Sequence, residues 1–172
     1  METFPDKAIQ LEFDIPDLRV DKTLLKALDA SLPRLIRNAI DHGIETLDER
    51  TQSSKSEQAK LSVKSFTKDK YWIVSIQDDG RGINPQIVRS KAESKGLFSK
   101  EKLDSMSESK IQELIFAPGF STAENISEVS GRGVGMDAVK AIVENSGGRI
   151  ELSSTFGQGT ENYGEVTTAV AE

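Results

Sequence analysis

Between Gln10 and Ile15 apolar and polar residues alternate, with Leu11, Phe13 and Ile15 on one side, which predicts a half-buried strand ended by Pro16. The period then changes. Leu24, Leu25, Leu28, Leu32, Leu35, Ile36, Ala39 and Ile40 recur at three- and four-residue spacing, the mark of a helix capped at Asp21 and stopping at Gly43, a position suited to a left-handed C-cap. Pro33 removes a helical N–H, so either the helix kinks or a second one begins near Ser31 with Pro33 in its first turn. Residues 46–60 are polar without an apolar stripe and predict a mobile surface excursion. Leu61, Val63 and Ser65 alternate, Thr67-Lys-Asp-Lys supplies a turn, and Trp72, Val74 and Ile76 alternate again, as in an antiparallel hairpin. Parity continues the buried side of that second strand to Asp78 and turns Asp79 the other way.

Pro85 and Gly96 bracket a helix carrying Ile87, Val88 and Ala92, and Ser107 caps a short one over 108–116 with Ile111, Leu114 and Ile115. A helix from Met136 to Asn145 buries Val139, Ile142 and Val143, closes at Gly147-Gly148, and leads into a strand with Ile150 and Leu152. Helices and antiparallel strands mix without a βαβ rhythm, which predicts an α+β two-layer sandwich in one domain over 1–172. Glu161–Glu165 interrupts the approach to Val166–Val170, so the last strand, over 161–172, is expected to be delayed, frayed or differently paired, and a loose edge there would promote association.

Composition narrows the function classes. The 172 residues are 36% hydrophobic and 29% charged, as in a globule with a core, and the net charge of -6 disfavours nucleic acid or an anionic membrane as partner. With no cysteine there is neither a disulfide nor a thiolate metal site. The start lacks a signal-peptide h-region and no apolar run spans a bilayer, so no membrane insertion and a cytoplasmic location are expected.

Three polar constellations carry candidate chemistry. Arg34, Asn38, Asp41 and His42 lie three or four apart on one helix face, where the Asn38 amide oxygen suits Mg²⁺; a solvated polar face is the plain alternative. Asp78 stands where an apolar strand breaks into Gly80-Arg-Gly82, room for a flat base whose exocyclic amine a carboxylate accepts; a solvated Asp-Gly turn is the other reading. Gly131, Gly133 and Gly135 precede the helix containing Asp137 and form a main-chain oxyanion cradle, with Arg132 adding charge. This is neither a Walker A loop nor a dinucleotide fingerprint, and a mobile linker is the alternative.

Asn38-Ala-Ile-Asp-His-Gly-Ile-Glu, Asp78-Asp-Gly-Arg-Gly-Ile, Phe116-Ala-Pro-Gly-Phe-Ser-Thr and Ser130-Gly-Arg-Gly-Val-Gly-Met-Asp resemble, in order, the N, G1, F and G2 boxes of a GHKL ATPase. The wording is most similar to chemotaxis-type histidine kinases, from about residue 24 to Thr160. The resemblance implies a Bergerat ATP-binding fold, a mixed, mostly antiparallel sheet covered on one face by helices. It implies ATP and Mg²⁺, with Asn38 ligating the metal, Asp78 accepting from the adenine amine, and Gly80, Gly82 and Ile83 lining the base pocket. Arg37, His42 and Lys91 would approach the phosphates, and Asp41 would belong to the same nucleotide site. Residues 116–136, including Ser121 and Thr122, would be the lid; Gly131, Arg132, Gly133, Val134, Gly135 and Met136 would hold phosphate; and Thr160 would complete the adenine end. Asn38, His42 and Arg34 would stand at the catalytic position, acting by placement and charge neutralisation.

One turn before Asn38 chemotaxis kinases carry a His and related ATPases a Glu, but this chain has Arg34, which neither ligates a metal nor accepts a proton. His42 is the single histidine and lies in the expected ATP site, so an acceptor histidine belongs on another polypeptide or another part of a longer protein. The expected partners are a histidine phosphotransfer domain and a receptor or response-regulator system, for an excised catalytic domain or a stand-alone kinase. A weakened nucleotide-binding regulator and an anti-sigma-type serine kinase are the alternatives.

Overall fold

The computed structural model describes residues 6–16, 22–68, 71–120 and 135–167, the last six by backbone alone. Five strands form one sheet in the order β1-β2-β3-β5-β4: β1 Ala8–Asp14, β2 Gln58–Lys68, β3 Tyr71–Asp78, β4 Gly148–Thr155 and β5 Gly159–Thr167. Only β1 and β2 run parallel, so the sheet is mixed and mostly antiparallel, as expected. Helix α1 (Lys22–Asn38) packs with α6 (Met136–Asn145), and Leu24, Leu35 and Val139 close on Leu61, Val63, Trp72, Val74 and Ile76 of the sheet. Leu61, Val63 and Val139 are fully enclosed, each contributing about 1.5–3 kcal/mol by leaving water. A second core joins α3 (Pro85–Ser94), α4 (Lys100–Asp104) and α5 (Glu108–Glu113) through Val88, Ala92, Leu103 and Ile111.

The antiparallel hairpin forms as expected, with Val63 opposite Ile76 and Ser65 opposite Val74, and β2 runs on through Thr67 and Lys68, which were expected in the turn. It places Asp78 on the buried side, 6% exposed, opposite Leu61. The α6 bounds also match the periodicity.

Several expectations are corrected. The alternating side of β1 is not half-buried: Leu11, Phe13 and Ile15 are 49%, 61% and 50% exposed, because β1 is an edge strand and only Ile9 reaches the core. Helix α1 runs through Pro33, forgoing one main-chain bond; Asp21 lies outside the described residues. Its end is a π-turn, Ala39–Gly43, closed by the Ile44 N–H on the Ala39 carbonyl at 2.8 Å. Gly43 does not adopt a positive φ, so its small size serves another purpose, given below. The polar stretch after it contains a helix, α2 (Leu47–Gln52), started by a capping box between Thr46 and Glu49 and holding the buried Arg50. Ile87 on α3 is 65% exposed, so Val88 and Ala92 carry that helix's buried side, and α4, capped by Ser99, was not legible from periodicity. The last strand, β5, is internal: it starts at Gly159 and pairs with β3 on one side and β4 on the other.

Candidate functional site

The site is built at the end of β3. Asp78 accepts the Gly80 N–H at 2.9 Å and a main-chain N–H from its register partner, Thr160. Burial outweighs both donors and the nearby charges of Asp79 and Glu45 add to it, so its carboxyl is pushed up from 3.8 to about 6. Among the described residues only neutral donors reach this carboxylate, an arrangement that keeps acceptor capacity for a ligand.

Glycine is required around it for space. A Cβ on Gly43 would stand 3.3 Å from Asp78 Oδ2, and one on Gly80 would stand 2.2 Å from the Gly43 carbonyl oxygen and 2.7 Å from Asp78 Oδ1. The Arg81 N–H donates to the same Gly43 carbonyl at 2.8 Å. The end of the α1 segment and the turn after β3 therefore touch through bare backbone. Gly82, at φ +67°, backs on the Thr155 carbonyl, and Gly159, at φ +124°, backs on the Asp78 carbonyl. Ser154 ties the β4–β5 end to this turn: its Oγ accepts the Ile83 N–H at 2.8 Å and lies 3.0 Å from Thr160 Oγ1. Gln112 Nε2 donates to the Ile83 carbonyl at 2.8 Å.

On the α1 side, Arg34 and Asn38 are partly buried, whereas Arg37, Asp41 and His42 are exposed. Arg34 and Asn38 share a face; the π-turn widens the spiral after Asn38, so Asp41 and His42 do not continue it at α-helical spacing. Such π-turns recur at functional sites. Lys7 Nζ donates to the Ile40 carbonyl at 2.7 Å and holds the turn's outer side. Gly135 is the N-cap of α6, and Met136 is buried in the core that also contains Ala39 and Ile44, which brings the α6 N-terminus to the end of α1. Lys91 lies on α3 with its amine 5.0 Å from the Phe120 ring, while Lys95 donates to the Phe120 carbonyl at 2.8 Å, so α3 grips the first residues of the expected lid. Ser121, Thr122, Gly131, Arg132, Gly133 and Val134 lie outside the described residues.

Behind the turn is an ionic cluster that hydropathy did not reveal. Arg50, 1% exposed, pairs with both oxygens of Asp79 at 3.2 and 3.0 Å and with Glu45 at 3.1 Å; Lys55 Nζ reaches Glu45 at 2.7 Å. The one legible signal was Thr46-x-x-Glu49, a capping box that starts α2 and so carries Arg50 inward.

Among the described residues no three His, Cys, Asp or Glu side chains cluster to hold a metal. The donor set nevertheless fits Mg²⁺ arriving with phosphates, since that ion takes few protein oxygens and keeps phosphates and waters as its other ligands.

A family model described as "Histidine kinase-, DNA gyrase B-, and HSP90-like ATPase" matches residues 27–168. The chain belongs to this ATPase family. It is 40% identical over 154 residues to the sensor histidine kinase CheAY of Helicobacter pylori, covering 90% of this chain and 19% of that protein. It is 39% identical over 155 residues to the chemotaxis protein CheA of Bacillus subtilis (90% and 23%), and 40% identical over 154 to a gliding motility regulatory protein of Myxococcus xanthus (90% and 20%). The chain thus spans 19–23% of the length of these relatives. The catalytic domain of the histidine kinase ThkA shares the fold, with a TM-score of 0.55 at 21% identity over 92% of this chain and 78% of that one. The domain is therefore an ATP-binding domain of the CheA-like histidine-kinase type. No helix among the described residues is long and apolar enough to cross a membrane.

Proposed function

We propose that the chain binds ATP between the end of β3 and the α6 N-terminus and passes its γ-phosphate to a histidine carried outside this domain. The buried Asp78 carboxylate carries this reading: it is supplied only with main-chain donors by the described residues and walled by Gly43 and Gly80. Its remaining acceptor capacity matches the adenine amine, and Thr160 closes the same end. The Gly135–Met136 end of α6 offers main-chain N–H groups to phosphate beside Asn38. Mg²⁺, when bound through the Asn38 amide oxygen and the phosphates, would neutralise phosphate charge. In the reaction an imidazole nitrogen of the acceptor forms a bond to the γ-phosphorus, the bond to the β,γ-bridging oxygen breaks, and ADP leaves. The chain's residues hold the triphosphate in line and exclude alternatives. Similarity to CheA proteins supports a phosphotransfer domain as acceptor and a receptor and response-regulator system as context.

A second reading rests on Arg34. It stands partly buried one turn before Asn38 and can neither ligate a metal nor take a proton. It favours a nucleotide-binding regulator with weak turnover. Incubating the chain with ATP, Mg²⁺ and a phosphotransfer domain separates the two: ADP and acid-labile phosphoprotein support the kinase, whereas tight binding without either product removes it. An acid-stable phosphoprotein would instead indicate a serine acceptor. Arg34→His raises turnover if the arginine limits it.

A further inference from the structure

Two consecutive peptide units follow Asp78, and each is held from both sides. In the first, the Asp79 carbonyl accepts from Lys55 Nζ at 3.1 Å and from Arg50 Nη1 at 3.3 Å, while the Gly80 N–H donates to Asp78 Oδ1 at 2.9 Å. In the second, the Gly80 carbonyl accepts from Lys55 Nζ at 2.7 Å, while the Arg81 N–H donates to the Gly43 carbonyl at 2.8 Å. A trans peptide is planar, with its C=O and N–H directed oppositely, so cations that draw the carbonyls outward aim the N–H groups inward. Gly80 lacks the Cβ that would resist rotation of these planes. An outward anchor is therefore needed to keep the amide on Asp78.

We propose that Lys55, supported by Arg50, is a positioning residue that sets the base selectivity of the Asp78 site by holding the Gly80 amide against the Asp78 carboxylate. This rests on the ATP reading above and deepens it. The Gly80 N–H on Oδ1, together with the Thr160 main-chain N–H, fixes the carboxylate in one orientation with acceptor capacity left for a ligand. Adenine presents an amine to it; guanine presents a carbonyl oxygen at the same ring position and is repelled. When the clamp is lost, the two peptide planes rotate, the Gly80 N–H leaves Oδ1, and the carboxyl turns or takes up a proton, which then tolerates the guanine carbonyl. Lys55 itself is supported through Glu45, which it shares with Arg50.

The test is calorimetric titration of the 172-residue chain, wild type, Lys55→Met and Lys55→Arg, with ADP and with GDP, well below each variant's melting temperature. The clamp predicts that Lys55→Met lowers the ADP-to-GDP affinity ratio by about tenfold, the scale of one lost charge-assisted bond. Lys55→Arg, which keeps a cation over both carbonyls, restores the ratio. The Gly80 amide proton resonance should move upfield in Lys55→Met and stay in place in Lys55→Arg. A purely structural lysine would lower the melting temperature and leave the ratio and the resonance unchanged, which overturns the proposal. No ADP binding by the wild type would overturn the ATP reading itself, while adenine-selective binding insensitive to Lys55→Met overturns only the clamp.

Discussion

Asp78 and Asp79 are neighbours in sequence and opposites in use. Strand parity sends Asp78 inward, where it is 6% exposed and the described residues supply only main-chain donors. Asp79 turns outward onto Arg50, which grips both its oxygens, and onto the Lys60 N–H at 2.9 Å. One carboxylate is kept short of partners and poised for a ligand; the other is consumed in fixing the turn. The difference teaches that acidity alone does not mark a functional aspartate: its unspent acceptor capacity does.

The comparison is most severely broken from the structural side. Arg50→Met leaves Glu45 and Asp79 without their buried cation and should cost about 3–5 kcal/mol of stability, read as the denaturant midpoint. Asp78→Asn should act the other way round. It replaces one acceptor oxygen with a donor and should lower ATP affinity by about 100-fold or more, roughly 3 kcal/mol, while the melting temperature is held or raised. Equal ATP affinity in the two proteins, measured by calorimetry, would sink the assignment of Asp78. Gly80→Ala introduces a methyl 2.2 Å from the Gly43 carbonyl oxygen and should cost about 1–3 kcal/mol, with loss of nucleotide binding in the same protein.

Protons probe the same contrast more gently. The folded carboxyl of Asp78 lies at about 6 against an ordinary 3.8, so the unliganded fold holds this proton more tightly than the unfolded chain does. Its contribution to stability is fully present below 3.8 and lost as pH rises through about 6, in all about 3 kcal/mol. Ligand binding has the opposite sign, since the amine needs the ionised acceptor. ATP affinity should therefore fall about tenfold per pH unit below about 6, and Asp78→Asn should flatten that slope. The smallest effect is expected for Arg81→Ala, which removes an exposed pair with Glu49 and should change stability by less than about 1 kcal/mol.

Much of this was legible in the residues. Periodicity located α1, the β2–β3 hairpin and α6, because each has a face buried against a single core and a period that says so. Parity alone predicted that Asp78 goes in and Asp79 out. The glycine-rich strings and their order carried the family resemblance. Other features were not legible because no local period encodes them. Arg50 is as buried as the core leucines, yet its burial depends on two acids that meet it only after folding. Gly43 was expected to serve a left-handed cap, whereas it is small because Asp78 at the end of β3 and Gly80 in the turn after it pack against it.

The sequence by itself thus determined α1, the β2–β3 hairpin and α6, which aspartate faces inward, and which family the chain resembles, since all of these follow from spacing along the chain. Only the tertiary structure decided that β1 leaves its apolar side uncovered, that β5 is an inner strand, and that α2 anchors the turn beside Asp78. Those outcomes depend on distant segments competing for the same space and the same hydrogen bonds, and that competition is settled in three dimensions.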